Sequence, residues 1–422
     1  MDVITKKSNI VFSKYNAVLM LGVGGVSVGQ LAKAYLKQGY TVYGYDQTKN
    51  QMVDDLIGMG LIFSQKFTKQ FLNVDFCVRT AAVKDDNPFV AAAVKTGILV
   101  LDRAYVLGQM LKQFKTVIAV AGTHGKSTTC ALIYEILRAA GKKVSCHIGA
   151  DICNARFEPG DDYAVVEACE YNKSFLKIYP HVTVVTNVEP EHLDSYGSFK
   201  NLKTAFLTFL KRGDKRFVFD CESNKFLQMA KNVNIVQKEE FKSKLKGEYN
   251  QKNIALAVAV CCALGVDKSV AVDAANMFAG VPRRYEFLGQ AIKTKIYIDY
   301  AHHPTEIAAF LSAFNVENKN ALIVFQPHTY SRTKMFLPQF VDVLSKQNNV
   351  CIFKEYPARE QKSAGVDAKT LYKLIKQKNS KCKYASTGKK IKQYLGKYNA
   401  IAFVGAGDIC QIAKWLLTCG KD

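Results

Sequence analysis

Between Val117 and Thr129 the chain reads VIAVAGTHGKSTT: an apolar run, then Gly122-Thr123-His124-Gly125-Lys126-Ser127-Thr128, then a helical pattern. A strand that ends in a glycine turn and opens a helix aims several backbone N–H groups at one point. The helix dipole adds positive potential there, so such a turn holds phosphate. Lys126 supplies a charge for the outer phosphates, and the Ser127 hydroxyl can take a place on Mg²⁺. The usual phosphate loop carries a further glycine five residues before Gly125, but that position is Val120. The loop is therefore a compact G-x-x-G-K-S. A chance Gly-Lys-Ser in an ordinary strand–helix turn is the bland alternative, and the strand and helix patterns on either side argue against it. The expectation is a protein that binds ATP and uses it.

Other groups with chemical potential follow strands. Glu167 ends the run Tyr163–Val166, and Asn187, Glu189, Glu191 and His192 follow the run His181–Val185. In an open parallel sheet the chemistry gathers at the carboxyl ends of strands, so these groups are expected near Lys126 and Ser127. A second glycine cluster, Gly22-Val-Gly24-Gly25-Val-Ser27-Val-Gly29, lies between an apolar run and a helical pattern. Asp46 closes the next apolar run, Thr41–Tyr45. That is a β-α-β unit with an acidic residue after its second strand. The third glycine of G-x-G-x-x-G is replaced by Ser27, so the cluster reads as nucleotide-binding of no particular kind, or as a tight turn.

The elements that must position these groups alternate strand and helix throughout, which predicts an α/β protein with mostly parallel sheets. At 422 residues, about three domains fit the soft prior of ~150 residues each. The predicted boundaries are 1–114, 115–282 and 283–422. The third segment reads strand Lys295–Asp299, helix Thr305–Phe314, strand Ala321–Phe325, helix Phe336–Ser345, strand Val350–Phe353, helix Ala368–Lys376, strand Ala400–Val404 and a last helix. Residues 213–246 are lysine-rich with one short strand, and a helix is predicted over Asn253–Leu264.

The net charge is +22. No arginine-rich run or nucleic-acid motif accompanies it, so a solvated basic surface suited to anionic substrates is expected rather than a nucleic-acid partner. The 12 cysteines include no C-x-x-C pair and no metal spacing. Free thiols at this density fit a reducing compartment. The apolar stretch near Val18–Val28 is short and glycine-rich, so neither a signal peptide nor a membrane span is expected, and the predicted location is cytoplasmic.

Several stretches carry a family resemblance in chain order: the two glycine loops, Val166-Glu-Ala-Cys-Glu170-Tyr-Asn-Lys-Ser174-Phe-Leu176, Thr186-Asn-Val-Glu-Pro-Glu191-His192, Gly247-Glu-Tyr-Asn250-Gln-Lys-Asn253, Arg283-Arg284-Tyr, Asp299-Tyr-Ala-His302-His303-Pro-Thr-Glu306, Phe325-Gln-Pro-His328-Thr-Tyr-Ser-Arg332, Tyr356-Pro-Ala-Arg359-Glu360 and Gly405-Ala-Gly407-Asp408. Together they resemble the Mur ligases, and within them the group that adds L-alanine to UDP-N-acetylmuramate. The resemblance runs nearly end to end. It implies three domains: a Rossmann-like UDP-sugar-binding domain, a central P-loop ATPase domain, and a C-terminal Rossmann-like domain that closes over the site. It also implies the reaction, in which ATP phosphorylates the lactyl carboxylate and the amine of L-alanine attacks the acyl phosphate. ATP and Mg²⁺ are the implied cofactors. A monomer or homodimer with no membrane insertion is expected.

By the same resemblance Gly22, Gly24, Gly25, Ser27 and Asp46 meet the UDP-sugar. Gly122 to Thr128, Asn250, Asn253, Arg284 and Asp299 meet ATP. Ser127 and Glu167 hold one Mg²⁺, with Glu170 a competitor of Glu167, and His192 meets a second. A histidine hydrogen-bonded after a strand is the alternative for His192, a helix cap for Asn250, and a solvated charge for Arg284. Lys126, Glu167, His192 and Arg332 are expected to be catalytic. His302, His303, His328 and Arg332 match positions for the substrate carboxylates and amine, while Arg359 reads as a contact or an anchor. Three departures stand out. The lysine that later-acting members carbamoylate to hold a metal is replaced at about Phe206. Thr329 stands where many members have arginine. The stretch between Phe219 and Gly247 is short, which predicts missing edge hairpins. The rival readings are the murein tripeptide ligase, a sensor that binds without turnover, and a nicotinamide dehydrogenase, which leaves the phosphate loop unexplained.

Overall fold

The computed structural model describes residues 14–80, 82–149, 157–158, 160–358, 360 and 366–419. Three sheets form, and the described chain divides into two compact units. The first unit holds the first two sheets and runs to Ser243, with Gln251–Phe278 added. The second holds the third sheet, Ala279 onward, together with Lys244–Asn250.

The first sheet contains β1 (Ala17–Leu21), β2 (Thr41–Tyr45), β3 (Ile62–Ser64), β4 (Phe76–Arg79) and β5 (Leu99–Asp102), in the order β3-β2-β1-β4-β5. All its pairings are parallel. The order reverses at β1, so the loop after β1 opens at a switch point, where such sheets bind ligands. The helix Val26–Lys37 follows that loop.

The second sheet contains β6 (Thr116–Ala121), β7 (Val144–His147), β8 (Tyr163–Glu167), β9 (Val182–Val185), β10 (Lys215–Phe219) and β11 (Val233–Val236). Its order is β11-β10-β9-β6-β8-β7, again parallel throughout. The phosphate-loop strand β6 is central, flanked by β8 and β9. Its run of valine, isoleucine and alanine is buried on both faces, as a central parallel strand requires. Phe206 is fully buried and packs edge-on against Phe175. Between Phe219 and Gly247 the described chain forms only short helical turns and the parallel edge strand β11, in line with the expected lack of hairpins.

The third sheet contains β12 (Glu286–Ala291), β13 (Thr294–Asp299), β14 (Ala321–Phe325), β15 (Val350–Phe353), β16 (Lys383–Ala385) and β17 (Ala400–Val404), in the order β12-β13-β17-β14-β15-β16. Only β12 is antiparallel, paired with β13. Sequence periodicity missed β12, because Gly289 and a register shift between Phe287 and Gly289 break its alternation. It also missed the helix Lys268–Met277, although Asp267 caps it by accepting from the Ser269 N–H at 2.8 Å. The helix predicted from Asn253 begins five residues earlier, at Glu248. Asn250 therefore lies inside its first turn and does not cap it.

Candidate active site

The phosphate loop is shaped by the strand beside it. Gly122 and Gly125 take φ of +142° and +83°. A Cβ on Gly122 would stand 1.9 Å from Thr186 Oγ1, and one on Gly125 would stand 2.5 Å from Asn253 Oδ1. Both positions need glycine for conformation and for space. The residues after β9 hold the loop in place. Asn187 accepts from the Thr123 N–H through its carbonyl and from the His124 N–H through its side chain, both at 2.9 Å. Thr186 Oγ1 donates to the His124 carbonyl at 2.6 Å, and the Glu189 N–H donates to Thr123 Oγ1 at 2.8 Å. Asn187 and Glu189 thus act as scaffolding for the loop. Asn253 reaches the same place from its helix, where its Oδ1 accepts from Thr129 Oγ1 at 3.3 Å.

Lys126 opens the helix Lys126–Ala139 and is buried there among carboxylates. Its ammonium donates to the carbonyls of Gly122 and Thr123 and lies 3.1 Å from Glu170 Oε2. Burial alone disfavours its charge, but Glu170 and then Glu167 outweigh that and hold its pKa above the ordinary lysine value. Ser127 Oγ donates to Glu167 Oε2 at 2.8 Å, and the Gly149 N–H donates to the same oxygen at 3.0 Å. Glu167 and Ser127 are therefore already arranged around one point.

Glu170 is 2 % exposed, and both its oxygens face the Lys126 ammonium, at 3.2 Å from Oε1 and 3.1 Å from Oε2. His192 Nε2 lies 3.9 Å from Glu170 Oε1. His192 has φ of +55°, a left-handed conformation unusual for a non-glycine residue, and its ring meets Tyr171 edge-on. Glu170, Glu191 and His192 each turn one ligand atom inward, all within 4.8 Å of one another. The sequence places His192 correctly near this group; it does not reveal that Glu170, rather than Glu167, is the carboxylate beside both Lys126 and His192.

The first glycine loop is braced from β2. The Gly22 N–H donates to the Tyr45 carbonyl at 2.7 Å, and the Gly24 N–H donates to Asp46 Oδ2 at 3.0 Å. Asn50 Nδ2 donates to the Gly24 carbonyl at 2.9 Å. Gly25 precedes the helix Val26–Lys37, and Ser27 lies in its first turn. The Ser27 hydroxyl accepts from Arg103 Nη1 at 2.8 Å and lies 2.8 Å from His147 Nε2. Arg103 and His147 escaped the sequence reading. Arg103 stands just after the helix cap Asp102, and His147 ends the short strand β7; neither carries a motif.

In the second unit the remaining expected groups cluster on the loops after β13 and β14. His303 and Glu306 form a capping box for the helix Pro304–Glu317. Glu306 also accepts from the His302 N–H at 3.1 Å and lies 3.7 Å from Arg284. Arg283 and Arg284 both stack on Tyr300, at 4.7 and 5.0 Å from its ring centre. Arg283 further donates to the carbonyls of Gly405 and Gly407, so it anchors the Gly-Ala-Gly turn. Gln326 ties that turn to its own loop, accepting from the Ile409 N–H and donating to Asp408. His328 stacks on Tyr356, and burial together with Arg332 pushes its pKa down to about 4, so it is neutral at pH 7. Thr329, at φ +64°, caps the short helix Tyr330–Met335 that carries Arg332. Asn250 donates to the Lys246 carbonyl at 2.7 Å. Arg359 lies outside the described residues.

Asp299 is buried, and each of its oxygens accepts a backbone N–H at 2.7 Å, from Tyr285 and from Ala301. Burial raises its pKa to about 6, more than Arg284 and these hydrogen bonds lower it. The folded state therefore holds a proton that the unfolded chain loses near pH 4. Its stabilising effect is complete below about pH 4 and is lost as pH rises to about 6, a change of at most about 3 kcal/mol. Unfolding curves of the wild type and Asp299→Asn, measured from pH 4 to 7, should converge as pH rises. Parallel curves would contradict this. The variant is expected to be less stable throughout, since an amide cannot accept from both N–H groups.

Comparison with known proteins agrees over all three sheets. Residues 17–115 match the family model described as Mur ligase family, catalytic domain; residues 120–238 match Mur ligase middle domain; residues 283–410 match Mur ligase, glutamate ligase domain. The UDP-N-acetylmuramate–L-alanine ligase of Clostridium tetani is 33% identical, covering 94% of this chain and 97% of its own length. That of Agathobacter rectalis is 31% identical, covering 96% and 98%. Among solved structures, a UDP-N-acetylmuramate–alanine ligase from Thermotoga maritima superposes with a TM-score of 0.82 at 22% identity, covering 96% of this chain and 99% of that one. A murein peptide ligase from Psychrobacter arcticus gives 0.68 at 20% identity, with the same coverages.

Proposed function

The chain belongs to the Mur ligase family, and from that membership we propose that it joins L-alanine to the lactyl carboxylate of UDP-N-acetylmuramate at the expense of ATP, a step of peptidoglycan precursor synthesis. The observation that carries the reading is the near full-length match to alanine-adding relatives, joined to a phosphate loop in which Ser127 bonds Glu167 and Lys126 pairs with Glu170. The segments 1–114, 115–282 and 283–422 are proposed as the UDP-sugar, ATP and C-terminal domains. A soluble cytoplasmic enzyme is proposed; among the described residues no helix is long and apolar enough to cross a membrane.

A free carboxylate is a poor electrophile. Transfer of the γ-phosphoryl group makes an acyl phosphate, whose phosphate is a good leaving group. The amine of L-alanine then attacks the carbonyl carbon, the C–O bond to phosphate breaks, and the amine loses a proton as the amide forms. The protein's part is mainly positioning and charge neutralisation. In this reading Lys126 turns from the Gly122 and Thr123 carbonyls to the β- and γ-phosphates. The loop N–H groups and the helix dipole hold the same oxygens. Gly22, Gly24, Gly25, Ser27 and Asp46 are proposed for the UDP-sugar. Asn250, Asn253, Arg284 and Asp299 are proposed for ATP, and His302, His303, His328 and Arg332 for the substrate carboxylates and amine.

Mg²⁺ fits two groups of donors. Ser127 Oγ and Glu167 form one hard-oxygen pair. His192 with Glu170 and Glu191 forms another, their ligand atoms all lying within 4.8 Å of one another. When bound, Mg²⁺ supplies neutralising charge to the phosphate and carboxylate oxygens.

The test is product analysis by mass spectrometry with ATP, Mg²⁺, UDP-N-acetylmuramate and either L-alanine or the tripeptide that the recycling ligase uses. Gain of one alanine residue is expected. Product with the tripeptide only would replace the reading with the tripeptide ligase.

A further inference from the structure

Within the first unit, one buried histidine links the two glycine loops. His147 ends β7 at 2 % exposure. Its Nε2 lies 2.8 Å from the hydroxyl of Ser27, in the first turn of the helix that follows the first loop. Gln30, one turn further along, donates to the Ile148 carbonyl at 3.0 Å. Two residues beyond His147, the Gly149 N–H donates to Glu167 Oε2, the oxygen that also accepts from Ser127. A continuous path therefore runs Arg103, Ser27, His147, Ile148, Gly149, Glu167, Ser127.

We propose that His147 is a positioning residue that couples occupancy of the first nucleotide loop to the geometry of Glu167 and Ser127 at the second. This rests on the reading that the two loops bind the UDP-sugar and ATP.

Three observations support it. First, Phe157 packs edge-on against the His147 ring. Its Nδ1 has no partner. A buried imidazole with half its polar edge unsatisfied costs stability that an aliphatic side chain would not. Second, burial and the nearby Arg103 charge hold its pKa down to about 3, so it is a neutral, fixed link. Third, Arg103 gives Ser27 a bond that a bound pyrophosphate can outbid, because Arg–phosphate hydrogen bonds are charge-assisted. If Arg103 moves to phosphate, Ser27 Oγ keeps His147 as its side-chain partner. The end of β7, and Gly149 with it, then follows the first loop.

The experiment is titration of Mg²⁺–AMPPNP into the full chain by calorimetry, with and without saturating UDP-N-acetylmuramate. The wild type is expected to bind the nucleotide about fivefold more tightly when the UDP-sugar is present, the lower end of typical coupling. In His147→Val that ratio should fall to about one, while each ligand alone keeps its affinity within about twofold. His147→Gln can still reach Ser27 and should restore most of the coupling. Ser27→Ala, which removes the same bond from the other side, should lose the coupling, and adding His147→Val should cause no further loss. It also keeps the test open if His147→Val folds poorly. An unchanged ratio in His147→Val or Ser27→Ala overturns the proposal while leaving the enzyme assignment intact. So does a wild type that binds both ligands without coupling. A wild type that does not bind the UDP-sugar overturns both.

Discussion

Lys126→Ala is expected to lower ATP-dependent phosphate release by about 10³-fold, the upper range for loss of one preorganised group facing developing charge, while UDP-N-acetylmuramate still binds. The separation follows from the structure: Lys126 lies in the phosphate loop after β6, whereas the first glycine loop is braced from β2 by Tyr45 and Asp46. Stability should change too. Lys126 and Glu170 are a largely buried pair, with side chains 13 % and 3 % exposed. Removing the ammonium leaves the Glu170 carboxylate buried with no cation against it, a loss of about 3 kcal/mol for pairs of this kind. Lys126→Ala/Glu170→Gln should therefore recover much of the stability and none of the turnover. If the double variant recovers turnover, the lost rate came from misfolding rather than from the missing charge. Normal turnover in Lys126→Ala would sink the assignment of the loop.

Gly122→Ala should abolish measurable ATP binding at concentrations that saturate the wild type. The new Cβ would stand 1.9 Å from Thr186 Oγ1, in a backbone at φ +142°. Thr186 cannot yield cheaply, because its hydroxyl donates to the His124 carbonyl and so holds the loop itself. The strained backbone alone costs about 1–3 kcal/mol. Gly141→Ala is the control. Gly141 also has positive φ, +71°, but faces open space after the same helix. It should lose some stability and keep its ATP affinity. Equal affinities in all three proteins, measured by nucleotide titration, would contradict the role given to Gly122.

Much of this was legible in the sequence because strong local signals and the fold point the same way. The Val117–Thr129 stretch carries a buried strand, two obligatory glycines and a helix start in thirteen consecutive letters. The third sheet was legible because its central strands, such as Ala321–Phe325 and Ala400–Val404, are continuous apolar runs with no polar face. What was not legible depends on long-range placement. The strand Val144–His147 mixes serine, cysteine and histidine, and it is a strand because it pairs with β8. Its histidine is chosen by a serine 120 residues away. The strand Val233–Val236 is a half-exposed edge, so it has little apolar signal to show. The preference for Glu167 over Glu170 came from its position at a strand end. That rule correctly set Glu167 beside Ser127, but it was silent on Glu170, which reaches Lys126 through a turn in which Asn172 and Lys173 have positive φ. No periodicity encodes such a turn. The motif around Arg283, Gln326 and Gly405 was visible as a pattern, yet its work in bracing one turn against another appears only in the folded chain.

The central claim is that ATP is spent only when both the UDP-sugar and the amino acid are present. The direct measurement is phosphate release from Mg²⁺–ATP with UDP-N-acetylmuramate and L-alanine added singly and together. Sustained release is expected with both and with neither alone. Sustained release that ignores L-alanine, or none under any combination while the UDP-sugar still binds, would contradict the ligase and leave a protein that senses the nucleotide sugar without joining anything to it.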